Sequence, residues 1–143
     1  MGRPEPGGPL PEVTMVTLGN RTVLLVEDNE DNRIVYSTIL RHHGFRTVEA
    51  VDGEEALGKA RESRPDLVLM DISLPGLDGW TVARRLREDP ATAAIPVLAL
   101  TAHASPEARE RARRKGFSGY LAKPCDPAAV LAAVRRLLAL DTA

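Results

Sequence analysis

The chain has 143 residues, 43% of them apolar and 27% charged, with 19 Lys and Arg against 20 Asp and Glu. That is the size of one ordinary domain, large enough to bury a core without disulfide or metal staples, and the near-neutral balance gives no global reason to expect nucleic acid or an anionic membrane as a partner. No apolar run approaches a membrane span, the first residues lack the charged-then-apolar order of a signal peptide, and a single cysteine, Cys125, excludes an internal disulfide framework, so a reducing, cytoplasmic setting is expected.

In chain order, residues 1–19 are rich in Pro and Gly and are expected to form a flexible tail, with Met15 an alternative start. Residues 20–143 read as one domain of alternating strands and helices. "TVLLV" (22–26) is apolar throughout, as a central strand should be. A first helix ends at Gly44. "FRTVEA" (45–50) alternates and reads as an edge strand. After a second helix, "DLVLM" (66–70) is again apolar throughout. It leads into "SLPGLDG", where Pro75, Gly76 and Gly79 shape a tight turn and Asp78 is placed to cap the third helix.

"IPVLAL" (95–100) forms the fourth strand. The fourth helix opens on Ser105-Pro106, an N-cap followed by Pro at the first helical position, and closes at Gly116. Its apolar positions are only Ala104, Ala108 and Ala112, so burial anchors it weakly and it is expected to be the easiest element to shift. "SGYLA" (118–122) is the fifth strand. The fifth helix opens on Asp126-Pro127 and shows a strong apolar face through Val130, Val134 and Leu137, with Leu131 and Leu138 beside it. Five β/α units in this length predict an α/β fold, a doubly wound three-layer sandwich around a five-stranded parallel sheet in flavodoxin-like order 2-1-3-4-5.

In an open parallel sheet, sites lie outside the carboxyl ends of the strands. The residues that follow the runs are Glu27-Asp28, Asp71, Thr101 and Lys123. If the first and third strands are neighbours, three carboxylates converge, and each pair at contact distance repels by roughly 4 kcal/mol at a protein-like dielectric. Such a cluster calls for a cation or for raised pKa values. Hard oxygen ligands on a water-accessible rim suit Mg²⁺. A carboxylate in that setting can act as a nucleophile toward phosphorus, with Lys123 as a second cation and the Thr101 hydroxyl as a donor to a phosphoryl oxygen.

"LLVEDN", "DLVLMDISLPGLDG", "VLALTAH" and "YLAKP", in this order at these strand ends, resemble a response-regulator receiver domain of two-component signalling, over Thr22 to Leu140. The resemblance implies that Asp71 accepts a phosphoryl group from a phosphohistidine on a sensor histidine kinase or phosphotransfer protein. It also implies that Asp28 and Asp71 bind Mg²⁺ through side chains, Ser73 through its backbone carbonyl and Glu27 through water. Thr101 and Lys123 would hold phosphoryl oxygens, Tyr120 would turn with the threonine as a switch, and the Lys123-Pro124 bond would be cis. Ser73 and His103 fall where similar domains tune phosphoryl lifetime. The acidic pair is Glu27-Asp28 where the family often has Asp-Asp. Output is expected through the face of the fourth helix, fifth strand and fifth helix, toward a downstream protein, by a monomer or weak dimer with no chemistry beyond its own phosphorylation and dephosphorylation.

Two other classes compete. A haloacid-dehalogenase-type phosphohydrolase shares the nucleophile, metal, Thr and Lys but needs a second Asp two residues after the nucleophile, where this chain has Ser73. A flavodoxin-like flavin or nucleotide binder cradles phosphate after the first strand, and "EDNED" would repel it. The remaining candidates read as structural. His42 and His43 favour a helix C-terminus, as does the basic run "RARRKG", Tyr36 and Trp80 are packing residues, and Cys125 is a bystander. The chain ends with the fifth helix, so a complete gene product of this kind would signal through protein contacts.

Overall fold

Alternation between short apolar runs and amphipathic segments resolves into five parallel strands: β1 (Thr22–Val26), β2 (Arg46–Ala50), β3 (Leu67–Asp71), β4 (Val97–Thr101) and β5 (Gly119–Ala122). The helices between and after them are α1 (Glu30–His42), α2 (Gly53–Ser63), α3 (Gly79–Glu88), α4 (Pro106–Arg114) and α5 (Pro127–Leu137). This computed structural model describes residues 21–102, 105–123 and 125–139. The expected N-terminal tail (1–19), His103, Ala104 and the Lys123-Pro124 bond lie outside the described residues.

The strands pair in the order β2-β1-β3-β4-β5, as the sequence predicts. The alternating "FRTVEA" run supplies an edge, whereas the uniformly apolar runs are central and, except for the first residue of β1, buried at every position. Successive side chains point to opposite faces, which divides the core in two. Leu24, Val26, Val68, Met70, Val97 and Ala99 meet the face formed by α2, α3 and α4. Val23, Leu25, Leu67, Leu69, Leu98 and Leu100 meet α1 and α5. Among the described residues no helix is long and apolar enough to cross a membrane.

Strand limits differ from the sequence reading by one or two residues. β4 begins at Val97 because Pro96 has no N–H for the ladder, although its carbonyl still accepts from the Val68 N–H at 2.9 Å. β3 continues through Asp71, since the ladder runs one step further with the Ile72 N–H on the Leu100 carbonyl at 2.9 Å. Asp71 is therefore the last residue of the strand rather than the first after it.

The helix ends follow the capping chemistry read from sequence. Asp78, Ser105 and Asp126 accept from the backbone N–H groups of Thr81, Ala108 and Ala128. Gly116, just past α4, has φ of +101°, a conformation that favours glycine. The α5 face is buried through Val130, Leu131, Ala133 and Val134. In α4 only Ala112 is buried. His43, at the C-terminal end of α1 as read from sequence, is half-buried with its Nδ1 3.5 Å from Arg135 Nη2.

Candidate functional site

Register sets the carboxylates side by side. Val26 is level with Met70, so the residues one step on, Glu27 and Asp71, emerge together at the carboxyl edge of the sheet. Glu27 is fixed by its backbone: its N–H donates to the Ala50 carbonyl at 3.0 Å, and its own carbonyl accepts from Arg33 Nη1 at 2.9 Å. Arg33 in turn donates through Nε to Glu49 on β2 at 3.2 Å. The side chain of Glu27 is buried, its Oε2 accepting from the Asn29 N–H at 3.2 Å. Asp28 is exposed, and Asn29 rather than Asp28 caps α1. One carboxylate oxygen from each of Glu27, Asp28 and Asp71 lies within 4.8 Å of the others.

Lys123 comes from the far side of the sheet, directly after β5, where its N–H donates to the Thr101 carbonyl at 2.6 Å. Its Nζ sits 2.7 Å from Asp71 Oδ2 and 3.5 Å from Glu27 Oε1. The other Asp71 oxygen accepts from the Ser73 N–H at 2.9 Å. The loop that supplies this N–H is pinned at its end, with the Gly79 N–H on the Ile72 carbonyl at 3.0 Å. A Cβ at Gly79 would meet Ile72 Cα at 2.7 Å, so only glycine lets α3 start this close to the loop that follows β3.

The electrostatics follow from this geometry. Burial pushes the Glu27 carboxyl above its ordinary 4.5, while the Asn29 N–H and the Lys123 charge pull the other way without cancelling it. Burial alone would depress the Lys123 ammonium, but the Asp71 hydrogen bond and the Glu27 charge outweigh it, and its pKa lies above 10.5. Lys123 is thus a permanent cation facing three carboxylates. With all three ionised, one positive against three negative charges leaves an excess of two negatives on a rim of hard oxygens, a donor set that fits Mg²⁺.

Thr101 is buried at the end of β4 and lines a cavity of about 430 Å³ with Ser73, Trp80, Ala108, Arg111 and Tyr120. Tyr120 is half-buried, its ring 5.5 Å from the guanidinium carbon of Arg109, which also donates to the Tyr120 carbonyl at 3.2 Å. The structure thus brings Glu27, Asp28, Asp71, Ser73 and Lys123 into one cleft, and Thr101 and Tyr120 into the cavity next to it. Sequence reasoning missed Arg33, which ties the Glu27 backbone to β2; a basic residue in the second turn of a helix carries no signal that its target is a carbonyl.

Comparison with known proteins agrees with this geometry. The profile of the response regulator receiver domain matches residues 23–135. The polar-differentiation response regulator DivK of Brucella anthropi is 42% identical over 104 residues, 73% of this chain and 85% of DivK. Among solved structures, the chemotaxis response regulator CheY4 of Vibrio cholerae superposes with a TM-score of 0.78 at 32% identity, covering 82% of this chain and 98% of CheY4. The receiver domain of sensor histidine kinase PA1611 from Pseudomonas aeruginosa, solved with a magnesium ion coordinated in its active site cleft, superposes with a TM-score of 0.76 at 37% identity over 83% of this chain and 98% of that domain. This chain belongs to the response regulator receiver domain family of two-component signalling.

Proposed function

We propose that the domain is a phosphorylation-driven switch whose acceptor is Asp71 and whose donor is a phosphohistidine on a sensor histidine kinase or phosphotransfer protein. The observation that carries this reading is the Lys123 ammonium 2.7 Å from one Asp71 oxygen in a cleft where three carboxylates converge. In the transfer step an Asp71 oxygen forms a bond to phosphorus as the nitrogen–phosphorus bond of the donor breaks. The electron pair leaves with the imidazole, which takes up a proton from solvent. Lys123 offsets charge on the phosphoryl oxygens, and the Thr101 hydroxyl donates to one of them.

Mg²⁺ would be held by the Asp28 and Asp71 carboxylates and the Ser73 carbonyl, with Glu27 reaching it through water, and when bound it would neutralise further charge on the phosphoryl group. Ser73, and His103 outside the described residues, are proposed to tune how long the acyl phosphate survives. A docking donor would meet an exposed apolar patch on α1, Ile34 and Val35, beside a cavity that reaches Lys123 and Cys125. Output would pass through α4, β5 and α5 to a downstream protein. The weak burial of α4, with Ala112 alone in the core, supports that choice because little packing opposes its displacement.

The test is intact-mass analysis after incubation with acetyl phosphate and Mg²⁺. The wild type is expected to gain one phosphoryl group, stable to acid and labile to base, and Asp71→Asn to gain none. A phosphohistidine, or the same adduct on Asp71→Asn, would overturn the assignment.

A further inference from the structure

A concentration of positive charge lies away from the carboxylate cleft, in a groove between α3 and α4. Helical spacing puts Trp80, Arg84 and Arg87 on one stripe of α3, and Arg111, Arg114 and Lys115 face them from α4 and its C-terminal end. Together they line an open groove of about 440 Å³, with Glu88 as the one acidic lining residue. This open, solvent-facing groove has room for a small polar ligand.

Two of the cations, Arg87 and Arg111, are held in place without being neutralised. Arg87 forms the floor: its guanidinium donates to the carbonyls of Gly116, Ala93 and Ile95 at 2.7 to 3.1 Å. Among the described residues it has no carboxylate partner, so its charge stays in the groove. The Arg111 guanidinium lies 4.4 Å over the Trp80 ring, which itself packs edge-on against Phe117. That stacking restrains Arg111 from swinging into solvent. Arg84 and Arg114 have only exposed, long pairings, to Glu88 at 3.4 Å and to Glu110 at 3.8 Å, and Glu110 is already engaged by Arg113. Such pairs contribute little and yield readily to a better anion.

Helix dipoles account for the cations in the last turns of α3 and α4, Arg111 among them, but not for Arg84, which lies within α3. Arginine forks match phosphate oxygens in pairs, and cations approaching from two helices match an anion with several charges within a few ångströms. We infer that this groove binds a small ligand carrying a pyrophosphoryl group, either free or as the polyphosphate arm of a nucleotide.

Trp80 is the single tryptophan of the chain and borders both this groove and the cavity beside Thr101, so its fluorescence reports binding and substitutions in the groove assign the site. The protein is titrated with inorganic pyrophosphate and with ADP in EDTA at constant ionic strength. The expected result is a saturable change, weakened at least tenfold in the double variant Arg84→Gln/Arg114→Gln. These side chains are 60% and 67% exposed, so the variant keeps its fold. Tighter binding of ADP assigns the ligand to nucleotides, and equal or tighter binding of pyrophosphate to the free anion.

Asp71→Asn, which removes the proposed phosphoacceptor, is expected to bind as the wild type does, so that this inference and the phosphorylation reading fail separately. The inference is overturned if the response does not saturate or the double variant binds unchanged. It is also overturned if Lys123→Gln abolishes the response, or if a glutamate-rich peptide or a short DNA duplex binds more tightly than both phosphates.

Discussion

Replacing Asp28 by Asn should make the metal-free protein more stable. Asp28 contributes a third negative charge to a cluster in which Lys123 already pairs with Glu27 and Asp71, and its carboxylate lies within 4.8 Å of both acids. At that distance a like-charge pair repels by about 3.5 kcal/mol at an effective dielectric of 20 and about 0.9 kcal/mol in water. Asp28 is exposed, which favours the lower figure. Lys123, paired with Glu27 and Asp71, offsets part of the two repulsions, leaving a net cost on the order of 1 kcal/mol. Urea unfolding in EDTA at low salt should therefore show Asp28→Asn more stable by about that amount, with Tm higher by about 2–4 °C. The gain should shrink as salt screens the cluster. Added Mg²⁺ should stabilise the wild type by mass action and narrow or reverse the difference, because the variant has lost a ligand. A variant equally or less stable in EDTA would refute the reasoning, since it would mean that the carboxylates do not repel one another in the folded state.

Glu27→Gln tests the burial of its neighbour. Because folding raises the Glu27 pKa above 4.5, its contribution to stability is fully present below the unfolded value and is lost as pH rises through the folded one; in EDTA the Gln variant should gain on the wild type near pH 7 and show no advantage near pH 4, and a pH-independent difference would contradict this. Gly79→Ala should cost about 1–3 kcal/mol by chemical denaturation, since the new Cβ meets backbone at Ile72 rather than a flexible side chain; an unchanged midpoint would count against the close approach. In native-state hydrogen exchange, residues 108–114 of α4 should exchange faster than residues 130–136 of α5, whose apolar face is buried where α4 has only Ala112. Equal protection would remove the argument that α4 is the loosely held element.

What the sequence made legible were features whose physical cause is local. Uniformly apolar runs marked central strands, the alternation of "FRTVEA" marked an edge, and Ser105-Pro106 and Asp126-Pro127 marked helix starts. The candidate site was readable because a parallel sheet sends every strand's carboxyl end to one side, so Glu27, Asp28, Asp71 and Lys123 had to gather there once the strand order was known. Arg87 was not readable. Its partners are the carbonyls of Gly116, Ala93 and Ile95, groups that every residue carries and that leave no mark in a sequence. The Trp80–Arg111 stack was hidden for a related reason: either residue alone reads as packing or as a solvated charge, and only the approach of α3 to α4 joins them.

The ion pairs of the cleft close very long loops: Lys123 is 52 residues from Asp71 and 96 from Glu27. No contiguous fragment shorter than that span can assemble the pocket, and a nascent chain lacks it until β5 has joined the sheet. Under the proposed function, competence to accept a phosphoryl group is therefore tied to completion of the whole architecture. Because chain-closure entropy grows only slowly with loop length, this arrangement costs little more than a pocket built from neighbouring residues would.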